Sequence, residues 1–139
     1  MKTALKTLRT VQWSMLASIL LYLALGEIIR PAARAVDPSL SYIFTTLGVA
    51  IVGMIFVVRR TLVLRAEETL VTRPDDPVSL NHWRTGYLAT YAFCEALALF
   101  GLVQRFLGSN LQQSIPYYLG GFVLLAFFRP RQPEPRPST

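Results

Sequence analysis

The chain has 139 residues, 53% of them hydrophobic and 16% charged, with a formal net charge of +6. The apolar residues fall in long blocks with the charges between them, a layout that points away from a soluble domain and toward a membrane protein. The basic excess flanks the blocks, where headgroup anchoring accounts for it, so nucleic-acid binding is not expected. The single cysteine, Cys94, excludes an internal disulfide framework and a cysteine-based metal site.

Four apolar blocks are read as membrane helices, at about 11–29, 40–58, 84–107 and 111–128. Each is close to the ~20 residues that cross a ~30 Å hydrocarbon core. Helices are required because lipid offers no partner to a bare peptide group. The expected fold is therefore all-α, an integral membrane protein of four transmembrane helices arranged as two antiparallel hairpins. Residues 1–128 form one domain, and 129–139 form a Pro-rich cytoplasmic tail.

The first block is preceded by Lys2, Lys6 and Arg9 and stops at Arg30-Pro31. A basic start, an apolar run and Ala33-Arg34-Ala35 resemble a signal peptide, but the run is too long and holds Glu27, so a retained helix is expected. Glu27 is explained by an ion pair with Arg30, or by snorkelling at the outer interface. Asp37-Pro38-Ser39 reads as an N-cap followed by proline at the first helical position, opening the second helix. After that block, RRTLVLRAEETLV contains no helix breaker, so the helix can continue to residue 72. Arg73-Pro74-Asp75-Asp76-Pro77 ends it; Asp75 and Asp76 suit a turn or a helix cap, and the loop could dock a partner. Trp83 is placed in the interfacial aromatic belt, and His82, the one histidine, is read as a headgroup or loop contact. Gly108-Ser109-Asn110 forms the tight turn before the last helix, in which Gly120-Gly121, like Gly48 and Gly53 of the second, permits close helix approach.

Orientation follows from counting basic residues. Eleven lie before the first block, between the second and third, or after the fourth, whereas only Arg30, Arg34 and Arg105 lie on the other side. The positive-inside rule then puts both termini in the cytoplasm. A bacterial cytoplasmic (inner) membrane is the expected location. A faint repeat at an offset of 75 residues pairs Arg9 with Arg84, Gly26 with Gly101 and Arg30 with Arg105, consistent with two duplicated hairpins of one orientation.

Glu95 is the most informative residue. Arg84 and Arg105 bracket the third helix, about 31 Å apart at 1.5 Å per residue, and Glu95 lies near the middle. A charged carboxylate at the bilayer midplane is costly, so the group is expected to be protonated, paired or turned to a polar cavity. It is either a reversible carrier of a proton or cation, or a protonated side chain bonding a neighbouring helix, with Thr90 and Tyr91 as candidate local partners. No catalytic triad, phosphate loop or dinucleotide fingerprint is present in the sequence, and neither a metal nor a cofactor is expected.

The stretch RTGYLATYAFCEALALFGLVQRFLG resembles the carboxylate-bearing helix of the c subunit (proteolipid) of F-type ATP synthases, and a four-helix chain with a repeated hairpin is similar to V-type proteolipids. The matching positions are Arg84, then Glu95-Ala96-Leu97, then Gly101-Leu102-Val103. The resemblance is confined to about residues 73–103. It implies that Glu95 binds the transported ion and that the loop of Arg73, Pro74, Asp75 and Asp76 faces a docking partner. Taken with the small size, these features lead to an expected role as a non-catalytic accessory or structural subunit of a larger membrane complex with c-subunit-like ancestry. The alternative is a proteolipid-like ion carrier. Both readings imply homo- or hetero-oligomeric membrane partners.

Overall fold

A computed structural model describes residues 1–29, 32 and 34–134. The chain is all-α, 84% helix, with no strand among the described residues. Four helices succeed one another: α1 (Lys2–Ile29), α2 (Pro38–Thr72), α3 (Pro77–Phe106) and α4 (Leu111–Phe127). The first three are long and apolar enough to cross a membrane; α4 has 17 residues, about 25 Å of helix.

The helix ends follow the local chemistry of the chain. Asp37 caps α2 by accepting the Ser39 amide at 2.9 Å, ahead of Pro38. The same Asp-Pro device starts α3, where Asp76 accepts from the Ser79 amide at 2.8 Å. The third helix therefore begins at Pro77, seven residues before the apolar block. Asn110 and Gln113 form a reciprocal capping box on α4. Gly108 has φ = 102°, the left-handed conformation that closes the α3–α4 turn. The first helix likewise starts early, at Lys2. Ala4, Leu8 and Gln12 lie in phase with Ile19 and Gly26, so one buried seam runs the length of α1.

The helix α2 runs 35 residues without a break and contains a π-helical segment, Arg59–Leu64. An α-helical turn would carry the eighth residue after Ile55 about 80° off the inner face. The wider π turn keeps Ile55, Arg59 and Val63 facing inward together, and Ile55 and Val63 are fully buried.

Helices α1 and α3 run in one direction and α2 and α4 in the other. The hub is α3, which packs against all three others. Half of its most apolar window is buried, against 17% for α1 and 11% for α2. Small residues bring the hub and α4 together: a Cβ built on Gly121 would lie 2.6 Å from the Cys94 carbonyl, and one on Gly101 would lie 3.2 Å from that of Ser114. At the π segment, a Cβ on Gly86 would meet Val63 at 2.6 Å. The outer faces of α1 and α2 carry exposed Trp13, Leu21, Ile28, Ile43, Val49 and Phe56, as surfaces in contact with lipid tails require.

Candidate functional site

Glu95 sits on the half-buried face of α3 turned to α1, and its Oε1 accepts a hydrogen bond from the Tyr22 hydroxyl at 2.7 Å. The two helices are thus tied at mid-length by a short bond to a carboxyl group. The candidate local partners are corrected by this geometry. The hydroxyl of Thr90 donates to the Gly86 carbonyl at 2.7 Å, and that of Tyr91 to the Phe128 carbonyl at 3.2 Å. The reason is directional. Side chains on a helix lean toward its N-terminus, so Tyr91 reaches back over residue 87 and away from Glu95.

Toward the 108–110 turn, Glu27 Oε1 accepts from Arg105 Nε at 3.1 Å, and Arg105 Nη1 donates to the Ser109 carbonyl at 2.8 Å. The expected partner Arg30 lies outside the described residues. Beside this pair the hydroxyl of Tyr118 is buried with no hydrogen-bond partner among the described residues.

The opposite end of the bundle holds a second polar centre. Trp83, Tyr87 and Tyr91 follow one another at four-residue spacing on α3, fully or almost fully buried. The expected place of Trp83 in the interfacial aromatic belt is corrected: its surface is 0% exposed, and its Nε1 donates to Glu67 Oε1 at 3.3 Å. Tyr87 reaches the same carboxylate oxygen and the Arg129 carbonyl, each at 3.5 Å. The guanidinium of Arg59 stacks on the Phe128 ring at 4.1 Å and on the Tyr87 ring at 5.3 Å. Its Nη1 is buried and has no hydrogen-bond partner among the described residues.

These donors resolve a problem posed by α4. The last four carbonyls of any helix lack intrahelical partners. On α4 and the residues just beyond it, the Leu125 carbonyl accepts from Gln12 Nε2 at 2.7 Å, and those of Phe128 and Arg129 accept from Tyr91 and Tyr87. Side chains from α1 and α3 therefore complete the short helix, and the positive charge of Arg59 lies near its negative end.

The loop Arg73, Pro74, Asp75 and Asp76 forms the α2–α3 turn; the first three are exposed, and the Asp76 amide donates to the Arg73 carbonyl at 3.2 Å. The Ser79 bond holds the Asp76 carboxyl below the usual aspartate value. No group of three or more His, Cys, Asp or Glu residues able to hold a metal occurs among the described residues.

Tyr22, Arg59 and Gln12 are the site residues that the sequence reading passed over. A faint signal exists for each: Gln12 interrupts an apolar seam in phase with Leu8, Tyr22 lies between Ile19 and Gly26 on it, and Arg59 is four residues from both Ile55 and Val63. No protein-family model, no curated protein and no solved structure matches the chain.

Proposed function

We propose that the chain is a four-span membrane protein with both termini in the cytoplasm of a bacterial cell. Its role is that of a non-catalytic accessory or structural subunit of a larger membrane complex, with c-subunit-like ancestry. The observation that carries this reading is the Tyr22–Glu95 bond. A carboxyl group at mid-helix that joins α1 to α3 is a packing element, and a protonated carboxyl satisfies that role without ever releasing its proton. The fourth span is supported by the donors that meet the end of α4. At about 25 Å the helix is slightly short of a ~30 Å core, so its last carbonyls lie at the membrane boundary, and Gln12, Tyr91 and Tyr87 supply donors to them.

Glu95 also keeps part of its surface outside the bundle, which favours the second reading, a proteolipid-like ion carrier. The two separate in one experiment. Under the accessory reading, Glu95→Gln leaves the assembly of the full chain in its membrane complex unchanged, and carbodiimide labelling of Glu95 shows no titration between pH 5 and pH 9. Labelling that titrates, together with proton flux in proteoliposomes that is lost in Glu95→Gln, would establish the carrier and reject the accessory role.

A further inference from the structure

One nitrogen of Arg59 leaves a requirement that the described residues do not meet. Its guanidinium is held between two aromatic rings, and its buried Nη1 has no acceptor among the described residues. An unmet charged donor removed from water is costly, and no described residue supplies the acceptor, so the site suits one that enters the adjoining cavity. Arg59 opens on a cavity of about 690 Å³ between the end of α2, Tyr87 in the first third of α3 and the segment after α4.

Three observations define the occupant. Along α2, Arg59 lies about 31 Å from Pro38, the depth at which headgroup phosphates meet the hydrocarbon core. The cavity rim carries Leu64 and Phe127, 45% and 75% exposed, so the opening continues onto an apolar surface suited to acyl chains. The charged lining is balanced: Arg59, Arg129 and Arg131 face the cavity with Glu67, Glu68 and Glu134. A pure anion would satisfy the arginines and be repelled by the carboxylates. A zwitterion matches both.

We infer that this cavity binds the headgroup of a phosphoethanolamine-type phospholipid, its phosphate on Arg59 and its ammonium against Glu67 and Glu68. Glu67 is already oriented by Trp83 and Tyr87, which donate to a single oxygen of its carboxylate. A primary ammonium brings three N–H donors to two carboxylates, whereas a trimethylated choline brings none. The site therefore separates phosphatidylethanolamine from phosphatidylcholine as well as from phosphatidylglycerol. This assignment is independent of any role for Glu95.

The test is a competition on the purified full chain in a neutral detergent. Phosphatidylethanolamine, phosphatidylglycerol and phosphatidylcholine with identical acyl chains are supplied in equal amounts, and retained lipid is counted by native mass spectrometry. The expected result is about tenfold preferential retention of phosphatidylethanolamine, the scale of one charge-assisted hydrogen bond. Retention of all three lipids falls in Arg59→Gln, which removes the contact to the phosphate they share, and the preference itself shrinks in Glu68→Gln, with helicity by circular dichroism as the folding check. Equal or greater retention of either other lipid by the unaltered chain overturns the assignment without recourse to any variant. Displacement of the lipid by glycerophosphoethanolamine at a similar concentration would show that the acyl chains contribute nothing, and would overturn the lipid as the source.

Discussion

The bond from Gln12 to the Leu125 carbonyl offers a sharp test of how α4 is held. It joins residues 113 apart in sequence at 2.7 Å, and Gln12 is 5% exposed. Gln12→Leu keeps most of the side-chain volume but removes the donor, leaving the Leu125 carbonyl without a replacement among the described residues. A buried acceptor left unmet costs about 1–3 kcal/mol, whereas hydrogen bonds between helices in membranes average nearer 0.6. A loss of about 1–2 kcal/mol is therefore expected. Reversible unfolding of the purified chain in mixed micelles measures it, and hydrogen exchange locates it. The exchange change should be confined to the last two turns of α4 and the facing part of α1, with the α1–α3 contact at Tyr22 unaffected. Combining the substitution with Tyr91→Phe, which removes the donor to the Phe128 carbonyl, should cost more than the sum of the two, because either bond alone still holds the end of the same helix. Unchanged stability in Gln12→Leu, with unchanged exchange at the end of α4, would refute the view that side-chain donors complete this helix.

Further outcomes follow from other positions. Gly121→Ala should destabilise the fold by about 1–3 kcal/mol, because the new Cβ would lie 2.6 Å from the Cys94 backbone carbonyl; Gly53→Ala, with nothing within 4 Å, should be neutral or gain up to about 1 kcal/mol from helix propensity, and unfolding of the pair in one detergent compares them. Gly108→Ala should cost about 1–2 kcal/mol in the same assay, since φ = 102° is unfavourable for any residue with a Cβ and that Cβ would meet Arg34 at 3.0 Å. Asp76 accounts for an acid-sensitive element. Its folded value lies below the unfolded one of about 3.9, so its contribution is fully present above that pH and is lost as pH falls through the lower, folded value. Asp76→Asn, a comparable cap that does not titrate, should flatten that part of the stability profile, and a profile identical to the unaltered chain would show that the cap charge is irrelevant.

Local chemistry was legible where it is written in neighbouring residues. The Asp37-Pro38-Ser39 start of α2 lies in three adjacent positions, and Asp76-Pro77 uses the same grammar, whereas hydropathy marks only the apolar part of α3 from about residue 84. Trp83 shows the limit of composition as a guide. A tryptophan beside an apolar block satisfies the aromatic-belt pattern, yet it is Glu67, sixteen residues earlier on another helix, that turns it inward. Glu95 could be placed at mid-helix by counting residues between two arginines, whereas Tyr22, 73 residues away, could not be found by counting.

The division has a single physical origin. The sequence by itself determined the all-α class, the long apolar helices and their caps, because each depends on interactions within a few residues and on the absence of lipid partners for the backbone. Only the tertiary structure decided that α3 is the hub, that Glu95 bonds Tyr22, and that Gln12, Tyr87 and Tyr91 finish α4. It also decided that Arg59, one of eleven basic residues counted toward orientation, turns to the interior. Those outcomes depend on which faces of distant helices meet. That is set by close approach at Gly86, Gly101 and Gly121 and by a π segment that rephases α2, and an apolar sequence leaves such a choice open because most of its residues suit either a neighbouring helix or lipid.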